Sequence, residues 1–502
     1  MKIKKGKKNM KKFITFALIA AMMLTMLVAN VSAAWDGTSV SASLKGEGTV
    51  ASPYLVESAA DLAYLAKSVN EGTTYEGKYI TQTADIDLGG KAWKAIGDNT
   101  NSFMGIYDGK DHEIKNFTYT VINAFAGFFG CVKSTDANQA GILNLNLSGK
   151  VNAWEFAATS DTFVGGLAGK LEGKVGKNVV VANCVVDVDI DVTTPVVTDK
   201  KFVDVGGFGG WNAYVSIVNS EYKGDIKVVS DGRYLMVGGF LGITYNDIVI
   251  ENSVFSGSVD INAKMAGMYA TAGGFIGRRN GAANRSCLIK NSVCSGSVNA
   301  VSTGLAYASG FVAHAFNGNT RNLTIENCAN TGKIHGETVT EGMNSYAGGM
   351  IGYENVGYVT VKNCVNKGEV TATGVNKTMS PGGILGVSNF ADKTSKYDGN
   401  ISTGKVAGWT NATAEIVTNS VDNADVAVVD AAIRTIADAQ KATSSVTVNG
   451  AKYDFVSAAP VVPTPPTPST PSNPSTGDVT SVIILALVAV SCGAVLTLKK
   501  TR

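Results

Sequence analysis

The chain has 502 residues, 45% of them hydrophobic, with 43 Lys and Arg against 41 Asp and Glu. That is ample for a large core or an elongated repeat array. The formal charge of +2 sits at the chain ends: setting aside residues 1–33 and 477–502 leaves 33 basic against 40 acidic residues, a net charge near −7. No basic stripe survives, which excludes nucleic acid as a partner.

The first twelve residues hold seven lysines, an apolar run fills 13–28, and the small residues Val31 and Ala33 precede Ala34. This is the layout of a secretory signal peptide, residues 1–33, cut between Ala33 and Ala34. Residues 34–125 are expected to hold an N-terminal cap and the first coils of a repeat array. Within them Leu62, Leu65, Ala66 and Val69 share one helical face, with Ser58 as N-cap and Asp61 at N3. Such a helix suits the open first coil of a solenoid.

From 126 to 387 the chain repeats itself. "IENSVFSGSV" at Ile250 returns as "IKNSVCSGSV" at Ile289. The anchoring asparagines are Asn144, Asn183, Asn219, Asn252, Asn291, Asn327 and Asn363, spaced 33 to 39 residues apart. A second phrase alternates with them: "GGLAG" at Gly165, "GGFGG" at Gly206, "GGFLG" at Gly238, "GGFIG" at Gly273, "GGMIG" at Gly348 and "GGILG" at Gly382. Short β-type runs bounded by Gly and Asn, none able to bury its apolar residues alone, predict an all-β, right-handed parallel β-helix. Asn suits a left-handed turn and an interstrand ladder; the glycines suit close backbone approach.

Residues 388–458 read as a C-terminal cap or small module. Residues 424–440 are helical in pattern, and Val446, Val448, Tyr453 and Phe455 alternate about a hairpin turn at Asn449-Gly450. Seven of the ten prolines then fall within 460–474, so 459–476 is a semi-rigid spacer. It ends in Asn473, Pro474, Ser475, Thr476 and Gly477. An uncharged stretch, 479–498, is long enough to span a bilayer, and Lys499, Lys500 and Arg502 close the chain.

Two resemblances attach to these residues. The pentapeptide, apolar span and basic tail, in that order, resemble the cell-wall sorting signal of Gram-positive surface proteins, with Asn473 in place of the usual leucine. That implies a sortase attacking the Thr476 carbonyl, loss of 477–502, and a covalent link from Thr476 to peptidoglycan. The membrane would then be met only through the precursor's C-terminal segment. The repeat, over about 46–386, resembles the GLUG motif found in bacterial surface proteins and in the non-catalytic part of some IgA-cleaving metallopeptidases. This resemblance implies architecture and address more than activity.

Candidate chemistry is sparse. Cys131, Cys184, Cys287, Cys294, Cys328 and Cys364 stand in the mature region; three of them follow Asn where other repeats carry Ser, a half-buried small site rather than an obligatory bridge. His112, His314 and His335 each stand alone, which reads as a solvent or turn position, and "IHGE" at Ile334 is not a zinc-peptidase motif. No metal, cofactor or catalytic set is expected. In "ADIDL" and "VVDVDIDV", Asp85, Asp87, Asp187, Asp189 and Asp191 alternate with apolar residues and so face outward on strands. "YDG" at Tyr107 reads as a turn. Loop aromatics at Trp154, Trp211, Tyr214, Tyr234, Tyr269 and Tyr346 are candidates for stacking on sugar rings. The sequence therefore points to a non-enzymatic, wall-anchored adhesin for host mucin, glycan or matrix protein. A β-helix polysaccharide lyase or glycosidase and a ligand-free spacer are the alternatives.

Overall fold

A computed structural model describes residues 34–455, apart from 121–123, 154–160, 195–200, 266, 281–283, 317–321, 356, 376–378, 390–393, 404–416, 419 and 442–443. Ala33, Trp154, the Pro-rich spacer, the pentapeptide 473–477 and the apolar stretch 479–498 lie outside the described residues. Among the described residues no helix is long and apolar enough to cross a membrane.

One coil shows the plan. Strand Tyr234–Gly238 turns a short corner into strand Leu241–Glu251, Asn252 makes the next corner, and Val254–Phe255 and Ser258–Ala263 complete the circuit. Successive coils pair in parallel: Val237 lies opposite Ala272, Ile250 opposite Ile289 and Ile261 opposite Ala300, with a local register shift between Ala213 and Val215. These pairings build sheets of 8, 18 and 16 strands, the walls of a parallel β-helix. Alternate side chains point inward, and identical positions stack. Phe208, Phe240, Phe275 and Phe311 are all fully buried, with ring centroids 4.7, 4.6 and 4.7 Å apart.

The corners follow from residue type. All seven repeat asparagines hold φ between 49° and 54°, a conformation Asn tolerates better than most residues. Asn183 donates to the Asn144 side chain at 2.9 Å, Asn219 to Asn183 at 2.9 Å and Asn327 to Asn291 at 2.5 Å. The next residue points inward and donates to the carbonyl two positions back: Ser253 to Glu251 at 2.8 Å, Ser292 to Lys290 at 2.8 Å and Cys328 to Glu326 at 3.2 Å. Ser and Cys interchange there because both are small donors. The site is fully buried rather than half-buried, Cys184, Cys328 and Cys364 being at most 1% exposed. The six cysteines are free thiols. The repeat glycines answer a different need. A Cβ on Gly239 would sit 2.3 Å from the Gly274 carbonyl, and one on Gly277 would sit 2.5 Å from the Val237 nitrogen.

At the N-terminal end, helix Ala59–Asn70 is capped by Ser58, whose Oγ accepts from the Asp61 nitrogen at 3.3 Å. Its Leu62, Leu65, Ala66 and Val69 join Val56, Ile80 and Phe103 in the main core. Tyr107, expected in a turn, lies inside strand Ile106–Asp108, fully buried and donating to Gln82 at 2.9 Å; the turn follows at Lys110 and Asp111, both with positive φ.

The C-terminal region divides. Lys396–Asp398, Ile401–Thr403, Val417–Thr418 and Val421–Ala424 add strands to the solenoid walls. Helix Val426–Gln440 then runs back along the flank, its Val429, Ile433 and Ile436 packed on Val254, Val293, Ala329 and Val365. Those four residues occupy one register position on successive rungs. Asp430 pairs with Lys367 at 2.7 Å, and Gln440 reaches the Ser253 carbonyl at 3.4 Å. Ten helical residues, about 15 Å, match three rung steps of about 4.8 Å. Hairpin Ser444–Val448/Ala451–Phe455 continues in the same direction, laying Val448 and Phe455 on Ile106, Leu143, Val180, Ala182 and Val218. The Asn449 side chain accepts from the Gln139 nitrogen at 2.7 Å and donates to its carbonyl at 3.1 Å.

Candidate binding furrow

Two walls carry facing stripes of outward side chains. On the eight-stranded sheet one register runs Phe163, Asp204, Met236, Thr271, Tyr307, Tyr346 and Ser380. On the 18-stranded sheet another runs Lys170, Trp211, Ile243, Arg278, His314, Tyr353 and Val387. Outward side chains on two walls can touch only where the walls meet at a re-entrant angle, and these do. Tyr307 stacks on His314 with centroids 4.9 Å apart, Tyr346 on Tyr353 at 5.3 Å, and the Lys170 ammonium lies 5.5 Å from the ring of Phe125, the partner of Phe163 on the other wall. Gly277 and its counterparts bring the two backbones close enough to form the fold. The result is a furrow running along the solenoid.

Its rim is aromatic: Phe202 stacks on Tyr234 at 5.4 Å, and Tyr234 lies 4.4 Å from Tyr269. Its floor is polar and closed. Arg278, 6% exposed, donates from Nη1 to the Tyr269 hydroxyl at 2.9 Å, and its guanidinium carbon lies 3.7 Å from the Phe316 ring centre. His314, 5% exposed, is ringed by Tyr307, Phe316 and Tyr353, and neither of its ring nitrogens has a hydrogen-bond partner. Burial, then the Arg278 charge, holds its imidazole well below the usual range and so neutral. Asp204, 2% exposed, has an unpartnered Oδ1; burial, then Asp161, pushes its carboxyl well above the usual range. Arg278 Nε is unpartnered as well. Such atoms mark places where a ligand or water completes the bonding.

Of the aromatics singled out in the sequence, Trp211, Tyr234, Tyr269 and Tyr346 lie along this furrow. Tyr214 sits apart, 5.3 Å from the Arg285 guanidinium. Tyr307, Tyr353, Asp204, Arg278 and His314 were not legible as site residues, and His314 is buried rather than at a solvent or turn position. The available signal was a bracket: Tyr307 and His314, like Tyr346 and Tyr353, stand seven residues apart on either side of the glycine phrase. His112 and His335 are half-buried, the first 3.1 Å from Asp85 and the second 2.7 Å from the Thr371 hydroxyl.

The acids take a different face. Asp85 accepts from the Glu113 nitrogen at 2.9 Å, and Asp87 accepts from the Gly89 nitrogen at 2.8 Å and Asn116 at 2.9 Å. These bonds lower both carboxyls below their usual range, led by Glu113 and Asn116 respectively. Asp187, Asp189 and Asp191 point outward between the buried Val186, Val188, Ile190 and Val192. Asp191 lies opposite Lys227, and Lys227 opposite Asp260. One depression of about 350 Å³ brings Asp187 and Glu113 to a common lining with Lys223. A larger one, about 730 Å³, lies between the hairpin and Asn144, Asn146 and Asn183.

No family model matches the chain. A stretch of 132 residues, 26% of this chain, is 33% identical to a provisionally named Gly-rich membrane protein of Evansella cellulosilytica. The match spans 14% of that protein's length. Among solved structures, a provisionally named immunoglobulin A1 protease from Bacteroides ovatus aligns over 81% of this chain and 93% of its own. The TM-score there is 0.42 and the identity 16%.

Proposed function

We propose that this chain is a non-enzymatic adhesin, exported, fixed to a Gram-positive cell wall through Thr476, and displayed as a β-helix that binds a host or neighbour-cell ligand. The furrow is the observation that carries the binding part of this reading: a continuous aromatic strip over buried, unpartnered polar atoms is the composition of a recognition site. The leader, spacer and tail pattern of the sequence supports the address, as does the partial similarity to a named membrane protein. By resemblance, sortase is the processing partner and peptidoglycan the covalent one.

The test uses cells displaying the full chain and, in parallel, the purified chain. Both are passed over mucins, glycans and matrix proteins, with retention and released product measured together. Saturable retention without product is the expected result, and replacing Thr476 by Ala should move the chain from the wall fraction to the membrane and medium. Released product would favour glycan cleavage instead, for which the shared depression of Glu113 and Asp187 is the specific starting point. Absence of both would leave a spacer.

A further inference from the structure

We propose that the furrow binds a linear, uncharged polysaccharide laid along the solenoid axis, with the half-exposed Tyr234, Tyr269 and Tyr353 as stacking platforms and Asp204, Arg278 and His314 as polar contacts. This rests on the adhesin reading and adds the ligand class and the residues. Three observations lead to it. The first is spacing. Adjacent rungs are about 4.8 Å apart, close to the length of one pyranose ring, and tyrosines recur on successive rungs: Tyr269, Tyr307 and Tyr346 have centroids 6.3 and 5.7 Å apart. A chain of sugars parallel to the axis keeps register with such a ladder; a branched or globular epitope does not.

The second is the hydrogen-bonding capacity of the floor. The unpartnered atoms are a carboxyl oxygen of Asp204, the Nε of Arg278 and both nitrogens of His314. Together they offer donors and acceptors on successive parts of the furrow. A hydroxyl is both donor and acceptor, so a polyol answers all of them. The third is charge. An anionic sugar would pair with Arg278 but would meet the Asp161 carboxylate, whose charge already helps to keep Asp204 protonated. A cationic one would meet Arg278 and Lys170. An uncharged chain avoids both conflicts.

The experiment is affinity electrophoresis of the purified full chain through gels containing a neutral linear β-glucan, a neutral mannan or an anionic polyuronate. Wild type is compared with Tyr353→Ala and His314→Phe, with thermal melting run beside each. Tyr353 is half-exposed and packs against the furrow wall, so its truncation should leave the fold intact. His314→Phe keeps an aromatic ring among Tyr307, Phe316 and Tyr353 and removes the nitrogens, and the melting control reads the cost of its slightly larger ring. Retardation by a neutral polysaccharide, weakened about tenfold by either variant at unchanged melting temperature, is expected. Stronger retardation by the polyuronate overturns the uncharged class. Retardation that neither variant alters places the site elsewhere. Binding of a mucin or matrix protein without any polysaccharide overturns this inference and leaves the adhesin standing; binding of nothing sinks both.

Discussion

Asn291 shows how much of this fold rests on single side chains. It holds φ at 49°, donates to the Asn252 side chain at 3.2 Å and accepts from Asn327 at 2.5 Å. Asn291→Ala loses both bonds and places an unfavourable residue in the left-handed region, which should cost about 2–3 kcal/mol. Asn291→Gly keeps the conformation and loses only the ladder, about 1 kcal/mol. Equal losses in chemical denaturation would refute that division. Cys328→Ser, by contrast, should change stability by less than about 1 kcal/mol, because Ser292 makes the same contact one rung away. Asp204 adds a pH dependence. Its carboxyl is held above the ordinary range by burial and Asp161, with Arg278 opposing. The folded chain therefore keeps a proton that the unfolded chain releases above about pH 3.9, and stability falls as pH rises from there towards the folded value. Asp204→Asn should leave the melting temperature unchanged near pH 3.5 and raise it at pH 7. An equal rise at both values would mean the cost is not one of ionisation.

At the scale of elements, the walls were legible and the strap was not. The period, the Asn corners and the inward alternation of Val186, Val188 and Ile190 follow from residue spacing alone. Helix Val426–Gln440 was also visible as a helix, but not its place, because Val254, Val293, Ala329 and Val365 read as ordinary members of apolar runs. They face outward, and the helix covers them. The furrow was hidden for a related reason. Its concavity depends on how closely Gly277 lets one wall approach Val237 of the other, a tertiary distance that no local pattern encodes. The strap can be tested directly. Ile433, 2% exposed, sits at the middle of the helix contact. Ile433→Asp puts a charge against four apolar side chains and should detach the helix, costing about 3 kcal/mol. Limited proteolysis should then cut within 426–440 while the solenoid stays intact. Persistence of the uncut chain would show that the hairpin alone holds the strap down.

The whole molecule differs from a simple stack of repeats because the strap has a fixed length. In an unstrapped solenoid each coil contacts only its neighbours, and removing one exact repeat shortens the stack at modest cost. Here Asp430 is tied to Lys367 and Gln440 to Ser253, with three rung steps beneath ten residues of helix. The hairpin is tied separately, through Asn449 to Gln139. Deleting 253–291 removes one 39-residue repeat in register, joining Asn252 to Ser292. The walls can re-form, but the solenoid is about 4.8 Å shorter under a strap that has not changed. The helix must then leave its register on the apolar ladder or the hairpin must leave Gln139. The deletion should therefore lower the melting temperature clearly in the full chain. The same deletion in a chain ending at Asp425 should cost little more than that truncation alone. Comparing the four chains separates the two effects: a deletion cost that is the same with and without the strap would mean each coil is stabilised only by its neighbours. A cost that vanishes without the strap would show that residues 426–455 set how many coils the array can hold.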